Sequence, residues 1–107
     1  MKCAVLLARE AEDDLVDIHR HIAESDSVDQ ADHVLTRIER ICRELRRFPR
    51  RGHVPPELER VGVFEFREVH FKPYRILYEV VGARVFVHAI LDGRRDLQDL
   101  LARRLLR

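Results

Sequence analysis

The sequence has no tryptophan, and its 107 residues include only two cysteines, four glycines and four prolines. Two cysteines, Cys3 and Cys42, are too few for a disulfide framework, and we expect both to be buried free thiols. No apolar run approaches the ~20 residues that a membrane-spanning helix needs. The first apolar run, residues 3–8, is also shorter than the core of a signal peptide. These absences predict a cytoplasmic protein that does not engage a membrane.

The length fits one domain covering residues 1–107 and leaves no space for a separate cofactor or substrate domain. Hydrophobic residues make up 46% of the chain, which is enough for a core and argues against disorder. Because only 7% of residues are aromatic, that core must be mostly aliphatic. None of the six histidines stands with a cysteine or carboxylate at metal-ligand spacing. The sequence therefore predicts no metal and no cofactor.

Two segments carry apolar residues at the three- and four-residue spacing of amphipathic helices. The first helix is predicted over residues 9–24, and its apolar face is Ala11, Leu15, Ile18 and Ile22. The second is predicted to open at Ser27, which forms a capping box with Gln30, and to end by Pro49. Its stripe is Ala31, Val34, Leu35, Ile38, Ile41, Cys42 and Leu45. The short link between the two predicts an antiparallel helical hairpin.

Four further segments have the character of strands. They cover residues 2–8, 63–71, 74–81 and 84–91, and a last helix follows a cap at Asp96. A loop rich in glycine and proline occupies residues 49–62, where Leu58 could anchor a short turn. The order β-α-α-β-β-β-α predicts a two-layer α+β fold, with the helical hairpin packed on an antiparallel sheet. We expect the first strand to be fully buried and to join the sheet at an edge.

The formal net charge of +1 hides a division along the chain. The first 33 residues hold three basic and nine acidic residues, a net charge of −6, and the remainder carries +7. Lysine occurs only at positions 2 and 72, so the basic part is almost entirely arginine. Arginine binds carboxylate and phosphate in a bidentate manner, so we expect an anionic partner despite the small net charge of the whole chain.

Several phrases of the sequence resemble the RelE/ParE superfamily, the toxins of bacterial type II toxin–antitoxin systems. The resemblance covers nearly the whole chain and is carried by Ala11-x-x-Asp14-Leu15-x-x-Ile18, by LRRFPRRG at 45–52, by PYRILYEV at 73–80 and by the segment 87–97. It implies a RelE/ParE-like fold and a cognate antitoxin (ParD-like, with a disordered tail) in a toxin–antitoxin hetero-oligomer. RelE-like members cut mRNA on the ribosome without a metal, whereas ParE-like members poison DNA gyrase and block replication.

The resemblance can be tested residue by residue against both branches. If the chain were RelE-like, Arg75 and Arg95 would match the basic catalytic positions, with His88 as a possible base. However, Leu100 or Leu101 stands where such enzymes often carry a tyrosine, and Phe66 and Glu68 stand where they carry lysines. The Arg94-Arg95-Asp96-Leu97 phrase and its Leu- and Arg-rich tail resemble the ParE C-terminal helix. We therefore favour a ParE-like gyrase inhibitor that is not an enzyme. A ribosome-dependent mRNA endonuclease and a non-toxic antitoxin-binding module are the alternatives.

The contact surfaces can be proposed at residue level. Candidates for contact with the target or with an acidic antitoxin tail are Arg67, Lys72, Arg75, Arg94, Arg95, Arg103 and Arg104. An exposed second apolar row on the helices would form an antitoxin groove, for which the candidates are Leu15, Ile18, Ile22, Leu35 and Ile38.

Two of the candidate functional residues, Arg75 and His88, also have a purely structural interpretation. Arg75 could instead form a cross-strand salt bridge with Glu79 or Glu68. His88 could be a satisfied core residue, on the same face of the strand as Phe86 and Ile90.

Overall fold

The computed structural model describes residues 3–94 and 98–105. The elements in chain order are β1 (Ala4–Leu7), α1 (Arg9–Ser25), α2 (Val28–Glu44), α3 (Pro56–Glu59), β2 (Phe66–Phe71), β3 (Tyr74–Val81), β4 (Arg84–Asp92) and α4 (Gln98–Leu105). The predicted order is confirmed, and the expected turn at Leu58 is the short helix α3. The proposed cap at Asp96 lies outside the described residues.

The four strands form one sheet in the order β1-β4-β3-β2. The last three pair as an antiparallel meander, and β1 lies at the edge, parallel to β4. The edge position was predicted, but the expectation that β1 is fully buried was wrong. Its side chains alternate between exposed and half-buried, because an edge strand with helices on one face keeps its other face toward solvent.

The hairpin of α1 and α2 covers one face of the sheet, as predicted. The Ser27 hydroxyl accepts a hydrogen bond from the Gln30 backbone N–H at 3.0 Å, which confirms the N-cap. The main core cluster joins the hairpin stripes to the strands and includes Leu15, Ile38 and Tyr78. Helix α2 ends at Glu44 rather than at Pro49, and residues 45–47 continue as turns.

A smaller apolar cluster lies on the opposite face of the sheet. It joins Leu58 of α3 and Leu101 of α4 to Phe66, Leu77 and Ala89 of the strands. Burial on both faces explains why β3 is apolar at successive positions rather than strictly alternating. The glycine- and proline-rich loop, through α3, and the C-terminal helix α4 therefore pack on this face of the sheet.

Strand β4 contains a bulge at His88. Leu77 pairs with Ala89 but the next residue, Tyr78, pairs with Val87, so His88 has no partner across the ladder. Val87 and Ile90 consequently both belong to the core under the hairpin. The alternation assumed from sequence, which placed His88 on one face with both Phe86 and Ile90, was wrong for this reason.

Among the described residues, no helix is both long enough and apolar enough to cross a membrane.

Candidate functional site

A pocket of about 550 Å³ opens beside β2 and β3, between α3 and the turn that follows β4. Its lining includes Glu57, Glu68, His70, Arg75 and His53. We call it the Arg75 pocket, because Arg75 interacts with both carboxylates at its base. Its lining is rich in charged and titratable side chains.

Arg75 is held by two carboxylates. Its Nη atoms donate to Glu57 at 2.5 and 2.8 Å, while Nε and Nη2 donate to the two oxygens of Glu68 at 2.6 and 2.9 Å. Only 12% of the Arg75 side chain and 1% of the Glu68 side chain are exposed. The expected salt bridge with Glu68 is confirmed, and the alternative with Glu79 is wrong. The fork-shaped guanidinium is thus occupied from inside the molecule.

These contacts shift the titration of all three groups. Hydrogen bonds from Arg75 hold the pKa of the Glu57 carboxyl below its usual range. Burial acts to raise the pKa of Glu68, but hydrogen bonds from Arg75 and His70 outweigh it and the net shift is downward. Hydrogen bonds to Glu57 and Glu68 raise the pKa of Arg75 despite its burial. All three side chains are therefore charged at neutral pH.

The loop before α3 is anchored against β2 on the rim of this pocket. His53 and Glu68 exchange two backbone hydrogen bonds, at 3.1 and 2.7 Å, and form an isolated antiparallel bridge. The preceding Gly52 donates its N–H to the buried Tyr78 hydroxyl at 2.9 Å. A Cβ at position 52 would lie 2.5 Å from the Glu68 carbonyl oxygen, so the close approach requires glycine.

Three side chains at this anchor have the chemistry of metal ligands. One possible ligand atom each from His53, Glu68 and His70 lies within 4.8 Å of the other two. The prediction that no histidine pairs with a carboxylate at ligand spacing was wrong, because Glu68 and His70 are two apart on a strand and share a face. The approach of His53 carried no local sequence signal, since it depends on loop anchoring.

The other basic candidates are distributed over several environments. Lys72 and Arg94 are exposed beside the Arg75 pocket, and Arg94 pairs with Asp92 at 2.6 Å. Arg67 is half-buried and donates to the Gly52 carbonyl at 2.6 Å, so it helps to fix the loop. Arg95 lies outside the described residues. The structure thus brings Lys72, Arg75 and Arg94 to one pocket.

Arg104, a candidate for partner contact, is paired inside the molecule instead. It donates to Asp14 at 2.9 Å and to the His88 carbonyl at 3.0 Å, and its Nε lies 2.9 Å from Glu10. Arg104 is mostly buried, so its proposed role as a free contact residue is wrong. It joins α4 to α1, whereas the neighbouring Arg103 is exposed.

His88 is engaged at the bulge. Its Nε2 lies 3.0 Å from the Glu79 carboxylate, and its ring packs edge-on against Phe66 at 5.6 Å between centroids. His88 is therefore hydrogen-bonded, as its structural interpretation expects, but it is half-buried rather than part of the core.

The proposed antitoxin groove is only partly exposed. Leu15 and Ile38 are buried in the main core, so they cannot line a groove on this chain, and that part of the prediction was wrong. Their burial follows from helix packing, since they lie at the centre of the stripes that face the sheet. Ile18, Ile22 and Leu35 are partly buried at the margin of the same core.

Comparison with known proteins identifies the family. Residues 5–97 match the family described as "ParE toxin of type II toxin-antitoxin system, parDE". The chain is 34% identical over 100 residues to Toxin ParE3 of Caulobacter vibrioides, covering 94% of this chain and 96% of that protein. A solved structure titled "Chromosomal ParDE TA system from P. aeruginosa" shares the fold, with a TM-score of 0.69 at 19% identity over 83% of this chain and 94% of that one. The chain therefore belongs to the ParE toxin family of type II toxin–antitoxin systems.

Proposed function

We propose that this ParE toxin inhibits DNA gyrase, stabilises the cleaved gyrase–DNA complex and so blocks replication, and that a cognate antitoxin neutralises it. Family membership supports the proposal, since the relatives are toxins of toxin–antitoxin pairs. The toxin acts by binding rather than by catalysis.

The observation that carries the choice between the two branches is the occupation of Arg75. A nuclease of the RelE type would need this guanidinium for the scissile phosphate. Here it makes four hydrogen bonds to Glu57 and Glu68. A phosphate would have to displace two carboxylates and would then face their negative charge. Leu101, at one of the two positions considered for a catalytic tyrosine, is buried in the smaller core cluster.

Neutralisation by an acidic antitoxin tail would use the cations that remain accessible. Lys72 and Arg94 are exposed at the pocket rim, whereas Arg75 is enclosed and cannot be the principal contact. The partly buried Ile18, Ile22 and Leu35 could add apolar contacts along the hairpin. Strand addition and helix-in-groove binding would both suit a disordered tail.

A supercoiling assay with relaxed plasmid, gyrase and ATP tests the gyrase proposal. The purified toxin should prevent supercoiling and cause cleaved complexes to accumulate. The absence of both effects, with a toxin that arrests growth when induced without antitoxin, would reject gyrase as the target. Primer extension on mRNA in a translation extract would then reveal cleavage if the chain were a nuclease. A chain that leaves growth unaffected would be a non-toxic binding module.

Matched variants test the antitoxin surface. The double variant Lys72→Glu/Arg94→Glu should weaken antitoxin binding, and the loss should be greatest at low salt. Arg20→Glu/Arg40→Glu makes the same change of charge at exposed helix positions and should bind like the parent. Equal weakening by the two variants would show that total charge, rather than the pocket rim, governs binding.

A further inference from the structure

The anchor between the loop and β2 places two imidazoles beside one buried carboxylate. The Nε2 atom of His70 lies 2.8 Å from Glu68 Oε1, and that of His53 lies 3.4 Å from Glu68 Oε2. The two rings are arranged edge to face, with centroids 5.3 Å apart. Two histidines and a carboxylate form a ligand set typical of transition-metal sites.

The backbone holds this set in place before any ligand binds. Glu68 and His70 are alternate residues of β2, so their side chains leave the same face of the sheet. The paired backbone hydrogen bonds between His53 and Glu68 put the His53 side chain directly across from that of Glu68. The Gly52 contact with Tyr78 fixes the loop at this point. Such preorganisation reduces the conformational entropy that binding would otherwise cost.

Exposure differs across the set in a way that suits a metal site open on one side. The Glu68 side chain is only 1% exposed, whereas His53 is 59% and His70 45% exposed. The imidazoles can therefore turn toward an arriving ion while the carboxylate stays fixed beneath it. Water can complete the coordination from the open side.

Arg75 orients the carboxylate without consuming it. Each Glu68 oxygen accepts one bond from Arg75. A carboxylate offers about four lone-pair positions, so each oxygen keeps one position directed toward the histidines. The charge of Arg75 is also shared with Glu57, which reduces its repulsion of a cation. Such partners orient metal ligands from the second layer of contacts.

We propose that His53, Glu68 and His70 form a binding site for a divalent transition-metal ion of the Zn²⁺ type. The ion would take one nitrogen from each imidazole and one oxygen from Glu68, and it would replace the present His70–Glu68 hydrogen bond. Nitrogen ligands disfavour Mg²⁺ and Ca²⁺, which prefer oxygen. This inference goes beyond the proposed function and does not depend on it.

Titration calorimetry with ZnCl₂ on the chelator-treated chain of 107 residues tests the site. One equivalent of Zn²⁺ should bind, and Co²⁺ should give the visible absorption of a nitrogen- and oxygen-ligated ion. His53→Ala and His70→Ala should each weaken Zn²⁺ binding by roughly tenfold or more, since loss of even a secondary partner costs about 10–100-fold. Zn²⁺ should raise the Tm of the parent, and the double variant His53→Ala/His70→Ala should lose this increase.

Two controls separate the site from adventitious histidine binding. His21→Ala and His33→Ala remove exposed histidines from α1 and α2 and should leave Zn²⁺ affinity unchanged. Circular dichroism checks that every variant is folded. If His53→Ala does not fold, the binding measurement on His70→Ala decides the test. No binding, binding unchanged in His70→Ala, or equal weakening by His33→Ala would overturn the proposal.

Discussion

Replacing Arg75 with methionine isolates the energetic consequence of the buried ion network. Methionine keeps much of the side-chain volume, so the main change is loss of the charge that faces Glu68 and Glu57. Glu68 would then be a carboxylate with 1% exposure and without its principal partner. Removing one member of a buried pair costs about 3–5 kcal/mol. The free energy of unfolding of a native protein is ~0.05–0.15 kcal/mol per residue, so this loss is a large share of the stability of a chain of this size.

The Arg51–Glu44 pair provides a matched control within the same chain. Its N–O distance is 2.9 Å, but the two side chains are 53% and 46% exposed. Arg51→Met should therefore cost less than about 1 kcal/mol. Urea unfolding followed by circular dichroism measures both variants by linear extrapolation. If Arg75→Met and Arg51→Met lowered the free energy of unfolding by the same small amount, the reasoning from burial would be refuted.

A second substitution checks the mechanism of that loss. Arg75→Met/Glu68→Gln leaves no buried charge at position 68, so it should recover part of the free energy of unfolding that Arg75→Met loses. A double variant that is less stable than Arg75→Met would show that the lost contacts of Arg75, rather than the unpaired buried charge of Glu68, dominate.

Three further predictions concern single groups. The folded-state pKa of Glu57 is lowered, so its contribution to stability is present above the unfolded pKa of about 4.3 and is lost as pH falls through the folded value. Glu57→Gln should thus be less stable than the parent at pH 7, with the difference shrinking toward pH 3 in urea unfolding; a constant difference would contradict this. Arg104→Met should cost about 1.5–3 kcal/mol, because it removes charged hydrogen bonds to Asp14, and a loss within error of zero would show that α4 is held by its leucines alone. Burial raises the pKa of the Cys42 thiol to about 11. In a Cys3→Ser variant, which removes the half-buried second thiol, Cys42 should react with a thiol reagent at pH 8 only after urea is added, and fast reaction of the folded variant would refute its burial.

Local signals in the sequence account for most of the fold. The cap at Ser27 and the stripes of the hairpin depend on neighbours within one or two turns, and both were predicted correctly. Strand β3 has the predicted bounds, because a turn flanks it on each side. The boundaries of α2 and β2 were less accurate, since tertiary contacts rather than residue preference decide where such elements end.

The chemistry of the Arg75 pocket was only half predictable. The Arg75–Glu68 pairing follows from strand neighbours and was considered from the sequence. Glu57, however, lies 18 positions away in a loop without periodicity, and nothing local indicates that it reaches the same guanidinium. His53 joins Glu68 for the same non-local reason. Arg104 is predicted from the sequence to contact a partner, and nothing local indicates its pairing with Asp14, which is 90 positions distant.

The unpaired residue in β4 has a consequence for how this strand tolerates insertions and deletions. Removing one residue from an ordinary strand turns every later side chain to the wrong side, so such changes rarely survive. At position 88 the opposite holds, because His88 is the extra residue between two correctly paired halves. A chain lacking it could restore an uninterrupted ladder, because Val87 and Ile90 would then be two positions apart and would both stay on the core face. Length variation among relatives should therefore concentrate at this single position of the central meander.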